Sequence, residues 1–227
     1  MDWQAFWDRQ AKDHTDPHLQ VSRHSRKMSV DEALLDRIAE HIAKHLDLQP
    51  EDRLLDVCCG NGMLSSRLAV KCGEVVGVDL SEGLVQQAQS HFPRTNISYL
   101  QGDATRLGEV VNGPFDKINL YFSFQYLDSF SKGKQALTEM LGLLAPGGTI
   151  FIGDVPDMRY LSVFYPSWIQ RMKYHLNLML GRSLMGKFWS EKELGRIAKG
   201  LDVSVSCLEQ APDLPYAHYR VDYVVGG

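Results

Sequence analysis

Leu54-Leu55-Asp56-Val57-Cys58-Cys59-Gly60-Asn61-Gly62-Met63-Leu64 is the stretch on which the reading of this 227-residue chain turns. Leu54 to Val57 is a short apolar run closed by a glycine cluster, the pattern of a buried strand. At Gly60 and Gly62 the backbone must turn sharply and let something approach it closely. Leu64, Leu68 and Ala69 then resume at helical spacing. Strand, glycine turn and helix in that order hold a nucleotide-like ligand against bare backbone, at the carboxyl end of a strand and facing a helix N-terminus.

Two common phosphate binders are excluded. No Gly-Lys-Ser/Thr follows the turn, so it is not a P-loop, and the dinucleotide fingerprint G-x-G-x-x-G is absent. The strand ends instead on an acid, Asp56, which suits a ligand with a cationic group and repels a pyrophosphate. A second apolar run, Gly73 to Val78, also ends on an acid, Asp79. It lies roughly 20 residues beyond the first, the offset at which a carboxylate meets a ribose. Asp79 is the ribose acceptor rather than a helix cap, because Ser81 already supplies the cap.

Composition bounds the rest. Apolar content of 44% and charged content of 23% are those of an ordinary globular protein. A net charge of −4 gives no electrostatic footprint for nucleic acid. No apolar run approaches the ~20 residues of a membrane span, and the first twenty residues show no signal-peptide core. The expectation is a cytoplasmic protein with no membrane or nucleic-acid partner. Cys58, Cys59, Cys72 and Cys207 have no zinc-ligand spacing, so no metal is expected and the thiols read as small buried residues.

Along the chain, Trp3, Phe6, Trp7 and Ala11 predict an amphipathic helix through about residue 13, ended by Asp16-Pro17. Leu34, Leu35, Ile38, Ile42 and Leu46 predict a scaffold helix from Val30 to Leu48, with Ser29 as its cap. Strands are expected at 96–100, running into Gly102-Asp103-Ala104, and at 115–122, followed by Ser123-Phe124-Gln125-Tyr126-Leu127. A helix over 131–145 leads through Ala145-Pro146-Gly147-Gly148 into a strand at 149–154. Residues 155–189 read as an insertion too aromatic and too basic for a plain scaffold helix. Ser190 and Glu193 form a capping box for a helix over Glu191–Lys199. Two alternating strands, 201–208 and 219–225, close the chain.

These motifs, in this order over residues 53–154, resemble the class I S-adenosylmethionine (AdoMet) dependent methyltransferases. The first stretch is similar to their acid-x-Gly-x-Gly-x-Gly motif, with Cys58 at the first glycine. The segment after Phe115-Asp116 resembles their Phe-Asp-x-Val, aromatic-x-x-His-x-Leu pattern, with Gln125 at the histidine. Leu144-x-Pro146-Gly147-Gly148 matches their hinge before the fifth strand. The resemblance implies an α/β three-layer sandwich, with a seven-stranded mostly parallel sheet and an antiparallel strand pair at the C-terminal end. It implies AdoMet as cofactor and S-adenosyl-L-homocysteine as product, held by Asp56, Cys58, Cys59, Gly60, Asn61, Gly62, Asp79, Leu80, Asp103, Ala104, Tyr121 and Phe122. Asp103 would address the adenine amino group, Leu80 would flank the adenine, and Tyr121 and Phe122 would line the methionine end.

The expected function is methyl transfer to a small molecule by in-line displacement, in a single domain, 1–227, that is a monomer or homodimer. Residues 1–28 form a lid, and with 155–189 the acceptor pocket. Trp7, Gln125, Tyr126, Tyr165 and Trp168 are the acceptor-binding residues. Gln125 cannot take a proton, so Asp154, at the end of the fifth strand, and His175, in the insertion, are the candidates for a base. The alternatives are a nucleic-acid or protein methyltransferase, a non-catalytic module that keeps the cofactor site, and a nicotinamide oxidoreductase. The last lacks its glycine fingerprint. Tyr121-Phe122-Ser123-Phe124 is not the Asn/Asp-Pro-Pro-aromatic motif of base-amino methylation.

Overall fold

The structure is a computed structural model and describes residues 1–21 and 31–226. Seven strands form one sheet in the order β3-β2-β1-β4-β5-β7-β6. They are β1 (Arg53–Val57), β2 (Glu74–Asp79), β3 (Ile97–Gln101), β4 (Phe115–Tyr121), β5 (Leu144–Pro156), β6 (Ser204–Glu209) and β7 (Arg220–Gly226). β1 to β5 are parallel. β7 runs antiparallel between β5 and β6. The central strands are apolar on both faces (Leu54, Leu55, Val57; Val75, Val76, Val78) because helices cover both sides. One face packs Ile118, Leu120 and Ile152 with Leu137, Met140, Leu194 and Ile197. Those four come from α6 (Phe130–Leu143) and α9 (Glu191–Lys199). The other packs Leu54, Val75 and Phe151 with Leu35, Ile38 and Ile42 of α3 (Glu32–Leu46).

Several boundaries differ from the sequence reading, each for a local reason. α1 covers Trp3–Asp13 as expected, but Asp16-Pro17 opens a further short helix, α2 (Pro17–Gln20): the Asp16 carboxylate accepts the His18 N–H at 2.9 Å, and proline suits a first helical turn. Ser29 lies outside the described residues, as do residues 22–28 of the expected lid. The cap of α3 is Asp31, whose Oδ1 accepts the Leu34 N–H at 2.8 Å. The Pro-Gly-Gly hinge is a bulge inside β5 rather than a loop before it. Leu144 already pairs with Phe115, and regular pairing resumes at Thr149 opposite Lys117. Gly147 supplies the positive φ (76°) that the bulge requires.

The segment 155–189 continues β5 to Pro156, then forms α7 (Leu161–Phe164) and α8 (Trp168–Met179), and returns to the sheet through a bridge between Asp157 and Trp189. It has a small apolar cluster of its own, built on Leu161, Tyr174, Phe188 and Tyr219. α9 falls where expected, with Ser190 and Glu193 closing a reciprocal capping box, whereas the strand expected from residue 201 begins at Ser204.

Candidate active site

The cleft opens at the carboxyl edge of β1, β2 and β4, where β1 passes into the glycine turn and the short helix α4 (Ser65–Leu68). Cys58 has φ 58° and Gly60 φ 59°. Cys58 thus holds the left-handed conformation that glycine adopts without cost, which explains why the resembled motif has glycine there. The two conformations bend the chain back so that the Gly60 N–H donates to Asp79 Oδ2 at 2.8 Å. Asp79 Oδ1 accepts the Ser81 N–H at 2.9 Å. Ser81 caps α5 (Glu82–His91) through Leu84 N–H, as the sequence indicated.

Asp79 therefore stands at the end of β2 with one acceptor position on each oxygen already used. Each carboxylate oxygen accepts more than one hydrogen bond, so a pair of vicinal hydroxyls has its partners. Burial raises its pKa from 3.8 to about 6, against the lowering by its two backbone donors. Gly102 N–H donates to the Asp79 carbonyl and so carries Asp103 and Ala104 to the same rim. Thr105 fixes the Asp103 side chain, donating to Oδ1 from both N–H and hydroxyl at 2.8 Å. Leu80 and Leu84 supply an apolar wall between the two acids.

On the other side Tyr121 and Phe122 close the cleft. Phe122 is held at φ 64° by two bonds: its N–H donates to the Gly153 carbonyl, and its carbonyl accepts Gln125 Nε2 at 2.8 Å. Gln125 is buried behind this turn, supports it and does not line the cleft. Cys58 and Cys59 stay neutral thiols, since burial raises both and the nearby Asp79 and Asp56 carboxylates add to it.

The N-terminal helices roof the cleft. Trp3 and Trp7 both line it and both pack on Tyr126, at ring-centroid distances of 4.4 and 5.4 Å. Asp8 Oδ1 ties α1 to the start of α5, accepting from Ser81 Oγ at 2.6 Å and Gly83 N–H at 3.1 Å. Asn61 Nδ2 donates to the Pro17 carbonyl and to Gln20 Oε1, each at 2.9 Å, which pins α2 over the glycine turn. Trp3, Val21, Ser123, Leu127 and Lys132 are among the further lining residues that the sequence did not assign to the site. For Trp3 the signal was present, one helical turn before Trp7.

Other expected residues are placed elsewhere. Asp56 does not line the cleft. Its Oδ2 accepts from Ser65 Oγ at 2.5 Å and its Oδ1 from Asn119 Nδ2 at 2.7 Å, so it joins β1 to α4 and β4. Gly62 faces Tyr99: a Cβ there would lie 2.7 Å from the tyrosine oxygen. Tyr165 packs against Tyr174 and Phe188 in the cluster under α7 and α8. Trp168 and His175 are exposed on α8. None of the three lines the cleft.

Asp154 is buried in a second bulge, where β5 and β7 lose register between Ile152 and Val155. Its φ is 58°, and its own N–H, turned out of the ladder, donates to Asp222 Oδ1 at 2.7 Å. Its carboxylate pairs with buried Arg220 at 3.3 Å and accepts from Gln210 at 3.2 Å. Asp154 opens on a small apolar cavity with Leu34, Ile38, Pro215 and Tyr216. Tyr121 and Phe122 line both cavities and form the wall between them.

Against known proteins, residues 54–148 match the family model described as a methyltransferase domain. The chain is 31% identical to the demethylmenaquinone methyltransferase of Desulfitobacterium hafniense (strain Y51), over 65% of this chain and 56% of that one. It is 29% identical to the ubiquinone biosynthesis O-methyltransferase of Dechloromonas aromatica (strain RCB), over 65% of this chain and 62% of that one. The chain therefore spans less than two thirds of the length of these relatives. Among solved structures it superposes on the N-methyltransferase NodS of Bradyrhizobium japonicum WM9 in complex with S-adenosyl-L-homocysteine. The TM-score is 0.67 at 14% identity, over 100% of this chain and 99% of that one, a likeness of fold.

Proposed function

We propose that this chain, which belongs to the class I S-adenosylmethionine-dependent methyltransferases, moves a methyl group to a small molecule carrying a flat apolar ring. The cofactor of this class is S-adenosyl-L-methionine, which supplies a methyl group already activated on a cationic sulfur and leaves as S-adenosyl-L-homocysteine. The observation that carries the reading is Asp79: a buried carboxylate, fixed by two backbone donors, at the strand end facing the cleft. Its free acceptor positions fit the two ribose hydroxyls. Leu80 and Leu84 fit an adenine face, with Asp103 at the edge for its amino group. A pyrophosphate, by contrast, would meet Asp79 and Asp103 with like charge.

What the residues do beyond binding is align and exclude water. Tyr121 and Phe122 set the far wall, and the aromatic group Trp3, Trp7 and Tyr126 covers the cleft from above, where it would stack on a planar acceptor. Trp3 Nε1, buried and without a hydrogen-bond partner among the described residues, leaves one donor for a polar atom of that acceptor. The names of the two relatives, one a demethylmenaquinone methyltransferase and the other a methyltransferase of ubiquinone biosynthesis, agree with such a ring. Among the described residues that line the cleft the carboxylates are Asp79 and Asp103, which this reading gives to the cofactor, and burial pushes the Tyr126 hydroxyl up to about 12. Such a lining suits an acceptor that is already largely ionised at neutral pH.

Calorimetric titration with S-adenosyl-L-homocysteine and with NAD tests the cofactor assignment. Micromolar binding of the first and none of the second is expected, and the reverse result would overturn it.

A further inference from the structure

α8 presents an apolar stripe to solvent. Trp168, Ile169, Met172, Leu176, Met179 and Leu180 are all exposed, Met172 by 60%, Leu176 by 55% and Met179 by 84%. At 3.6 residues per turn they fall within one arc of about 120°. Eight of the fourteen large exposed hydrophobic residues among those described lie between 163 and 184, so this is one patch and not scattered exposure. The helix is also held in this orientation. Tyr174, on the opposite side, is 3% exposed, packs on Tyr165 and Phe188, and accepts the Phe188 N–H on its hydroxyl at 2.8 Å.

Charge follows the same geometry. From Met158 to Trp189 the sequence contains Arg159, Arg171, Lys173, Arg182 and Lys187 and no acid. Arg159 pairs with Asp157 and Glu209 and Lys187 with Glu193, so the charge of the patch rests on Arg171, Lys173 and Arg182. On α8 itself Lys173 borders the apolar arc on one side, and Arg171 and His175 border it on the other. An apolar stripe between two cationic margins, with a tryptophan at its start, is the pattern of a helix that lies in a membrane interface.

We propose that α8 docks this protein onto an anionic lipid bilayer, with its axis in the plane of the surface. The occupant must be apolar where the stripe enters and negative along both margins, and anionic headgroups over acyl chains are both. A second copy meeting this face with its own would set the same cations against each other. The membrane-spanning criterion does not bear on this: among the described residues no helix is long and apolar enough to cross a membrane, and α8 need only lie on one. α8 leaves the sheet after Pro156, at the carboxyl end of β5 and so on the same edge as the cleft. The inference does not depend on methyl transfer.

The test is co-sedimentation of the full chain with vesicles of phosphatidylcholine alone and of phosphatidylcholine with one third phosphatidylglycerol. Binding to the anionic vesicles is expected, weak or absent on the neutral ones, and falling as salt is raised to about 0.5 M. The double variant Met172→Glu/Leu176→Glu should bind at least about tenfold less while keeping its melting curve and its S-adenosyl-L-homocysteine affinity. Lys173→Glu/Arg182→Glu, which reverses two exposed charges and leaves the apolar stripe intact, should weaken the anionic binding alone. Failure of the native chain to bind, equal binding to both vesicle types, or binding indifferent to both variants would overturn the proposal. So would a solution dimer that the Met172→Glu/Leu176→Glu change dissolves, which would make a second copy the occupant.

Discussion

The Gly60 N–H lies 2.8 Å from Asp79 Oδ2, so the glycine turn of β1 and the acid that ends β2 are one unit. Replacing Asp79 by alanine would leave the Gly60 and Ser81 donors buried and unpaired, and would mix folding with binding. Asp79→Asn keeps one acceptor and is the cleaner test. Hydrogen bonds to a charged acceptor contribute about 1.5–3 kcal/mol each, and weakening two of them should cost about 10- to 100-fold in S-adenosyl-L-homocysteine affinity. Calorimetry on a variant with a normal melting curve checks this. Unchanged affinity would make Asp79 only a tie between strands.

The same residue predicts a pH dependence. Its folded-state pKa is raised from 3.8 to about 6 by burial. The fold thus favours the protonated form, a contribution to ligand-free stability that is full below pH 3.8 and lost as pH rises through about 6. Ligand hydroxyls instead favour the ionised acceptor. Affinity should therefore fall about tenfold from pH 7 to pH 5 as the carboxylate protonates, and Asp79→Asn should flatten that profile. A native affinity constant across the interval would refute the ribose role.

How much of this was legible in the sequence depends on the range of the interactions. Strands and caps are local, and Asp79, Ser81 and the capping box of Ser190 and Glu193 could be read where they stand. Cys58 and Gly60 could be assigned because a turn has stereochemical demands that a single residue type reveals. Asp56 could not: its partners Ser65 and Asn119 sit on two other elements, and only the fold brings them to its oxygens. Trp168 and His175 share the residue types of a pocket. Which side of a helix faces inward, however, was decided by Tyr174, and no chemistry in the motif announces that. Arg220 was missed altogether, since a lone arginine at a strand start gives no hint of a buried partner.

Cys58 carries a side chain at φ 58°, and the cost of that conformation rises with branching at Cβ. Cys58→Val should destabilise the protein by about 2–3 kcal/mol, whereas Cys58→Gly should stay within about 1 kcal/mol, since relief of strain offsets lost burial and added chain entropy. Urea unfolding of the three proteins measures the difference. Equal midpoints would mean the turn accommodates any residue.

Gly62 makes a sharper case, because its φ of 81° and its surroundings both exclude a side chain. An added Cβ would lie 2.7 Å from Tyr99 Oη and 3.0 Å from the Ala88 methyl, both packed between β3 and α5. Gly62→Ala should cost about 3 kcal/mol or more through overpacking and backbone strain together. A melting temperature within error of the native one would show that this helix can move away from β3.

The last prediction concerns the proton of the acceptor. Asp154 and His175 were the two bases suggested by sequence position. His175 stands on the exposed side of α8, and the Asp154 carboxylate is held by Arg220 at 3.3 Å and Gln210 at 3.2 Å, behind the wall of Tyr121 and Phe122. His175→Ala should therefore leave single-turnover methyl transfer unchanged at every pH. Asp154→Asn removes the counter-charge of an arginine that is itself 2% exposed, and breaking such a pair typically costs about 3–5 kcal/mol. That variant should lose stability, while the rate per folded molecule at saturating cofactor stays near the native value. Single-turnover rates across pH 5.5–8.5, read beside denaturant melts of each variant, separate the two effects. A pH-dependent rate in the native protein that becomes flat in His175→Ala would restore the histidine as base. A rate lost in Asp154→Asn without loss of stability would do the same for the aspartate.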